Sequence, residues 1–218
     1  MPKIVDHAER RAEIIESLVR VAGREGLHAV TMRSVAAEAG VSVRRVQYYF
    51  DTKAQLMHSA LRYLERQSSD RWVARLAELP SGLPARDHVE ALLAESLPIT
   101  EHNRNFRLVW TSYAVLAMTD PQLAEQPFVT GPNRFEQQLA DILRQAQSDG
   151  ELTAELDVAA EAARLLSINH GLGTSVLVGQ RTAEAAGAIL RYHLDSVFGP
   201  RLQTAHRKRT GRSTHVTR

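Results

Sequence analysis

Arg44, Arg45, Gln47, Tyr48 and Tyr49 crowd one end of the stretch VSVRRVQYYFDTKAQL, which runs from Val41 to Leu56. Guanidiniums, a carboxamide and phenols on so short an element form a dense set of hydrogen-bonding groups. Arginine's planar fork matches guanine O6 and N7 bidentately and also holds phosphate oxygens. Glutamine offers adenine a donor and an acceptor at once. This is the chemistry needed to read the edges of a DNA duplex. The alternative is an exposed basic helix with no partner.

The neighbouring residues supply the scaffold such a reader requires. Ser42 caps a short helix that ends near Phe50, and Thr52 with Gln55 forms a T-x-x-Q capping box for a longer one. Upstream, Thr31 caps a short helix with Val35, Ala36 and Ala39 inward, and Gly40 ends it. A helix, a tight glycine turn and a second helix make the helix-turn-helix pattern. The second helix can enter the major groove of B-DNA, about 12 Å wide. Val46 and Phe50, one turn apart, would pin it to a small core. Arg33 and Lys53, at the starts of the flanking helices, would border the groove, where helix N-termini favour anions. One of Tyr48 and Tyr49 should turn into the core while the other offers its hydroxyl to a phosphate.

Helical periodicity dominates the rest of the chain, and no segment alternates with period two. A first helix is predicted over roughly residues 8 to 25, with Ile14, Ile15, Leu18, Val19 and Ala22 facing a core and Gly26 as its stop. The long helix after Thr52 carries Leu56, Ala60, Leu61, Leu64, Trp72, Val73 and Leu76 as far as the LPSGLP break at residues 79–84. At about 1.5 Å per residue it makes a rod of roughly 38 Å. Further helices are predicted near 85–97, 103–118 (closed by Asp120-Pro121), 132–148, from Asp157 to Val178, and from Thr182 to Gly199-Pro200. The expectation is an all-α chain with a DNA-binding head at 1–53, a ligand-binding and dimerisation body at 54–200, and a basic tail at 201–218.

The 218 residues carry a formal net charge of +2. Six basic residues and no acids follow Pro200, so the remainder of the chain is acidic on balance. That tail reads as a solvated end or as a nonspecific attraction to phosphates. The chain has no cysteine, which excludes disulfides and thiolate metal sites and suits a cytoplasmic location. No apolar run is long enough for a signal peptide or membrane span. G-x-S-x-G, Walker, G-x-G-x-x-G and H-E-x-x-H motifs are absent, and the nine histidines show no metal-ligand spacing. Neither an enzyme nor a cofactor is implied.

In the body, Phe106, Trp110, Tyr113 and Leu116 repeat along one helical face. Such a stripe is either plain core or the wall of a pocket for a mostly apolar ligand. Glu95, His102, Ser112, Asn169 and His170 supply polar company. Gly171 and Gly173 lie inside a predicted helix, where each costs about 1 kcal/mol against alanine, so a close approach of backbone or ligand is expected there. Ala159, Ala160, Ala162 and Ala163, with Ala183, Ala185, Ala186 and Ala188, give flat small-residue faces for a partner helix or for internal packing.

The stretch TMRSVAAEAGVSVRRVQYYFDTKAQL resembles the N-terminal signature of TetR-family transcriptional regulators: a Thr-led helix, A-x-x-A-G-V-S, a helix ending in Y-F, then x-x-K-x-x-L. FRLVWTSYAVLAMTDPQL, DGEL and NHGL in the body resemble the BetI-type subgroup. The resemblance implies a homodimer on double-stranded DNA with a palindromic operator, released by a small-molecule effector. It implies base contacts from Arg33, Arg44 and Gln47. It implies phosphate contacts from Thr31, Arg45, Tyr49 and Lys53, with Ser42 at the cap between them. The aromatic stripe puts the expected effector pocket near Phe106, Trp110, Tyr113 and Asn169, and the resemblance implies a dimer bundle on the last two helices, for which Gly173 and Ala186 are the expected contacts. The family commonly has tyrosine at Gln47 and a small residue at Arg44, so the base preference is this chain's own.

Overall fold

Helix caps set the observed boundaries. The computed structural model describes residues 7–78 and 82–199, so the expected tail at 201–218 and residues 79–81 of the LPSGLP break lie outside the described residues. Ten α-helices follow in order among the described residues: α1 (His7–Glu25), α2 (Met32–Glu38), α3 (Val43–Tyr49), α4 (Lys53–Glu78), α5 (Ala85–Glu95), α6 (Glu101–Ala117), α7 (Pro121–Ala124), α8 (Thr130–Ser148), α9 (Val158–Leu177) and α10 (Ala183–Phe198). Thr31, Ser42, Thr100, Asp157 and Thr182 each accept a hydrogen bond from a backbone N–H of the first helical turn. That satisfies donors no helix can satisfy for itself.

Asp120-Pro121, expected to close a helix, also opens one. Asp120 accepts from Gln122 N at 3.0 Å and Pro121 fills the first helical position of α7, where its missing N–H costs nothing. The turn between α2 and α3 closes through Val41 N to Ala36 O (3.0 Å) and Gly40 N to Ala37 O (3.2 Å). Gly40 takes φ +64° there, a conformation that glycine adopts without steric cost.

Two apolar cores hold the chain together. The upper one joins α1, α2 and α3 to the first half of α4, through Ala54, Leu56, Met57, Ala60, Leu61 and Leu64. It also takes in Val109, Tyr113 and Ala117 of α6 and Leu123 of α7. Packing therefore does not break at residue 53: α6 is built into the same core as the helix-turn-helix. The lower core gathers Trp72 with α5, α8, α9 and α10. Val73, expected inward, is 62% exposed, because α4 turns different faces to the two cores and Trp72 takes the lower one.

Candidate DNA-reading helix and ligand cavity

Val46 and Phe50 are almost completely buried and fix α3 on the upper core. With that face pinned, Arg44, Arg45 and Gln47 stand exposed on the other, with Thr31 and Arg33 at the start of α2, Ser42 between the helices, and Lys53 at the start of α4. Thr31 and Ser34 form a reciprocal capping box: each side chain accepts from the other's backbone N–H at 2.9 Å. Ser42 Oγ accepts from Arg45 N at 3.2 Å, which leaves its hydroxyl proton free to donate. Gln55 reaches one residue further back than a T-x-x-Q box requires, to Asp51 N at 3.2 Å.

Charge is distributed unevenly over this head. Arg20 and Arg24 both pair with Glu38, at 2.9 and 3.1 Å, and Arg24 also with Glu25 at 2.9 Å. Glu38 is held below the usual carboxylate range by its hydrogen bonds to the two arginines. Among the described residues, Arg33, Arg44, Arg45 and Lys53 form no ion pair. Of the two tyrosines, Tyr49 is the one turned toward the core, with its ring 4.5 Å from that of His7. Tyr48 is 72% exposed, so it is more open to solvent than Tyr49, for which the resemblance implies the phosphate contact.

A cavity of about 120 Å³ lies in the body, between α4, α5, α6, α8 and α9. Trp72, Phe106, Trp110 and Phe135 form its aromatic wall, and Glu65, Glu95, Arg107, Asn169 and His170 its polar one. An apolar cavity of about 150 Å³ holds a benzene ring, so the space suits a small organic molecule. Phe106, Trp110 and Asn169 line this cavity, and Tyr113 does not. Tyr113 lies on the same face of α6 but about 4.5 Å further along the axis than Trp110, and there α7 closes over it. Its hydroxyl donates to Leu123 O at 3.2 Å and its ring packs 5.3 Å from Phe128. Burial, with Asp120 nearby, pushes that phenol up to about 12.

Asn169 is fully buried and bonds in three directions: Nδ2 donates to Leu93 O (2.9 Å), while Oδ1 accepts from Ser96 Oγ (2.7 Å) and Arg107 Nη2 (3.0 Å). Arg107 Nη2 donates also to Ser96 O at 3.0 Å, at the C-terminus of α5. Desolvation alone lowers the Arg107 guanidinium to about 10. His170 stacks at 4.9 Å on Trp110, and burial, followed by the Arg107 charge, lowers its imidazole to about 4. Glu65 pairs with Arg62 at 3.2 Å, yet burial raises its carboxyl above the usual value. Neither Arg107 nor Glu65 figured in the sequence reading. The only signal was their setting: Arg107 falls directly after Phe106 and three residues before Trp110.

The expected dimer contacts are corrected. Gly173 is buried inside the protomer, where a β-carbon would stand 2.8 Å from Arg107 Nε. Ala186 is fully buried in the lower core. Both face the inside of the protomer rather than its surface. The outward face of α9 carries Ala160, Ser167, Gly171 and Thr174, with Val178 at its C-cap, and that of α10 carries Ala185, Ala188, Tyr192 and Ser196.

Among the described residues no helix is long and apolar enough to cross a membrane. Comparison with known proteins agrees with this geometry. Residues 14–60 match the family described as bacterial regulatory proteins, tetR family, and residues 84–199 match the BetI-type transcriptional repressor, C-terminal. The HTH-type transcriptional regulator PksA of Bacillus subtilis is 30% identical over 54% of this chain, and the chain spans 56% of that relative's length. The regulator BetI of Serratia proteamaculans is 26% identical over 71% of this chain and 78% of its own. Among solved structures, a protein of Saccharomonospora viridis described as a transcriptional regulator, in complex with choline, superposes with a TM-score of 0.77. It is 26% identical, and the match covers 87% of this chain and 98% of that one. The matched families are transcriptional regulators rather than enzymes. The helix-turn-helix head and the helical body are those of a TetR-family transcriptional regulator with a BetI-type C-terminal half, and the chain belongs to that family.

Proposed function

We propose that the chain is a ligand-released repressor that binds an inverted-repeat operator as a homodimer. The observation that carries this reading is the cluster of unpaired, exposed cations on α2, α3 and the start of α4, beside Gln47. Arg33, Arg44 and Gln47 read base edges, while Thr31, Ser42, Arg45, Tyr48, Tyr49 and Lys53 hold the backbone. The outward faces of α9 and α10, small-residued apart from Val178 and Tyr192 (each 72% exposed), form the dimer bundle.

The effector occupies the cavity, its apolar body against Trp72, Phe106, Trp110 and Phe135. The choline held by the Saccharomonospora neighbour supports reading the body as a small-molecule receptor. The wall bears on both helices that reach the head. On α4, Trp72 lines the cavity while Leu64 and Leu61 sit in the upper core; on α6, Trp110 lines it while Val109 and Tyr113 sit in that core. A ligand that displaces these helices changes the spacing of the two α3 helices, which must match half-sites about 34 Å apart. It acts only through its difference in affinity between the two spacings, and tenfold loss of DNA affinity needs about 1.4 kcal/mol of coupling.

The test is selection of bound sequences from random DNA with the purified chain. An inverted repeat should emerge, and its recovery should fall when a cognate effector is present. Selection that enriches no sequence would leave an architectural DNA binder as the better reading.

A further inference from the structure

We infer that the effector carries a carboxylate, which docks on Arg107 and Trp110. This rests on the cavity being the effector site, and it adds the chemical class of the ligand. Arg107 is only 5% exposed, and its two hydrogen bonds, both through Nη2, go to the neutral acceptors Ser96 O and Asn169 Oδ1. Asn169 Oδ1 is already shared with Ser96 Oγ. Arg107 Nε has no hydrogen-bond partner, and among the described residues Nη1 makes no hydrogen bond, both of those that Arg107 forms running through Nη2. One turn along the same helix, Trp110 presents a buried indole N–H that also lacks an acceptor.

No carboxylate of the wall offsets these donors. Glu65 meets Arg62 through Oε2 at 3.2 Å and turns its unpartnered Oε1 against Gly131, Glu95 meets Arg75 at 3.4 Å, and among the described residues Arg107 forms no ion pair. A guanidinium taken out of water without a counter-ion is costly to keep. A carboxylate placed in the cavity would complete it with charge-assisted hydrogen bonds, roughly twice as strong as neutral ones. A clamp between α5 and α9 alone would need only a neutral donor at this position.

Both tryptophans of the chain line the cavity, so their emission reports binding there. The full chain is titrated with benzoate and phenylacetate, and with benzamide and phenylacetamide as neutral counterparts of the same shape. Each acid should bind at least tenfold more tightly than its amide. The preference should vanish in Arg107→Gln and survive in part in Arg107→Lys. Equal binding of acids and amides by the wild-type chain, or no binding of any of the four, overturns the carboxylate assignment while leaving the effector cavity in place. If compounds that release DNA leave tryptophan emission unchanged, the cavity itself is not the receptor site and both readings fall. The wild-type comparison decides even where Arg107→Gln does not fold.

Discussion

The Arg107 guanidinium lies flat against Gly173, so that a β-carbon on residue 173 would stand 2.8 Å from Nε and 3.0 Å from Cζ. A mid-helix glycine costs about 1 kcal/mol against alanine, and here that cost admits a cation to the cavity wall. Gly173→Ala therefore sets helix propensity against overlap with a side chain that Ser96 and Asn169 hold in place. The overlap should win, for a net loss of roughly 1–3 kcal/mol in urea unfolding. A stabilised variant would show that Arg107 moves aside freely.

At the head, Arg44→Ala should relax base preference at one position in each half-site, by roughly 1–3 kcal/mol of lost discrimination. Lys53→Ala should weaken binding to all sequences alike and flatten the salt dependence by about one unit per half-site. Competition binding over randomised half-sites at two salt concentrations separates the two effects. Uniform weakening by Arg44→Ala, with preference intact, would contradict its base-reading role.

For the dimer, Ala188→Glu and Tyr192→Glu place charge on the outward face of α10 and should give helical monomers in sedimentation at micromolar concentration. Ala186→Glu should instead cost several kcal/mol and lose the fold, because it forces a carboxylate into the lower core. A dimer that survives both outward changes would move the interface elsewhere.

His170 gives stability a pH dependence. Its imidazole titrates near 4 when folded against an ordinary 6.5. The unfolded chain therefore binds the proton first as pH falls, and stability present above about 6.5 is lost down to about 4. The ring is partly exposed, which discounts the loss to about 2 kcal/mol. Melting curves of the wild type and His170→Gln should diverge over this window, with the wild type falling faster. Parallel curves would mean that the ring takes its proton in the folded state without penalty.

The sequence made the helices legible because their caps are local. Ser42, Asp157 and Thr182 satisfy their own first turns whatever packs against them. Which face of a helix meets which neighbour is not local. Phe106, Trp110 and Tyr113 share one stripe, yet the cavity ends before Tyr113 because α7 covers it. Gly173 and Ala186 have the small size a dimer seam favours, but their size answers needs inside the protomer: a guanidinium at one, the lower core at the other. Arg107 escaped notice because an arginine between two aromatics looks solvated until Asn169 and Ser96, distant in sequence, are brought against it.

The coupling of cavity to head is tested most directly by one paired titration. A compound that releases operator DNA is added to the complex while DNA anisotropy and tryptophan emission are followed together. Trp72 and Trp110 are the chain's two tryptophans and both line the cavity. Emission and release should change with one midpoint, and Phe106→Ala should shift both by the same factor. Release at full strength with tryptophan emission unchanged would contradict the account.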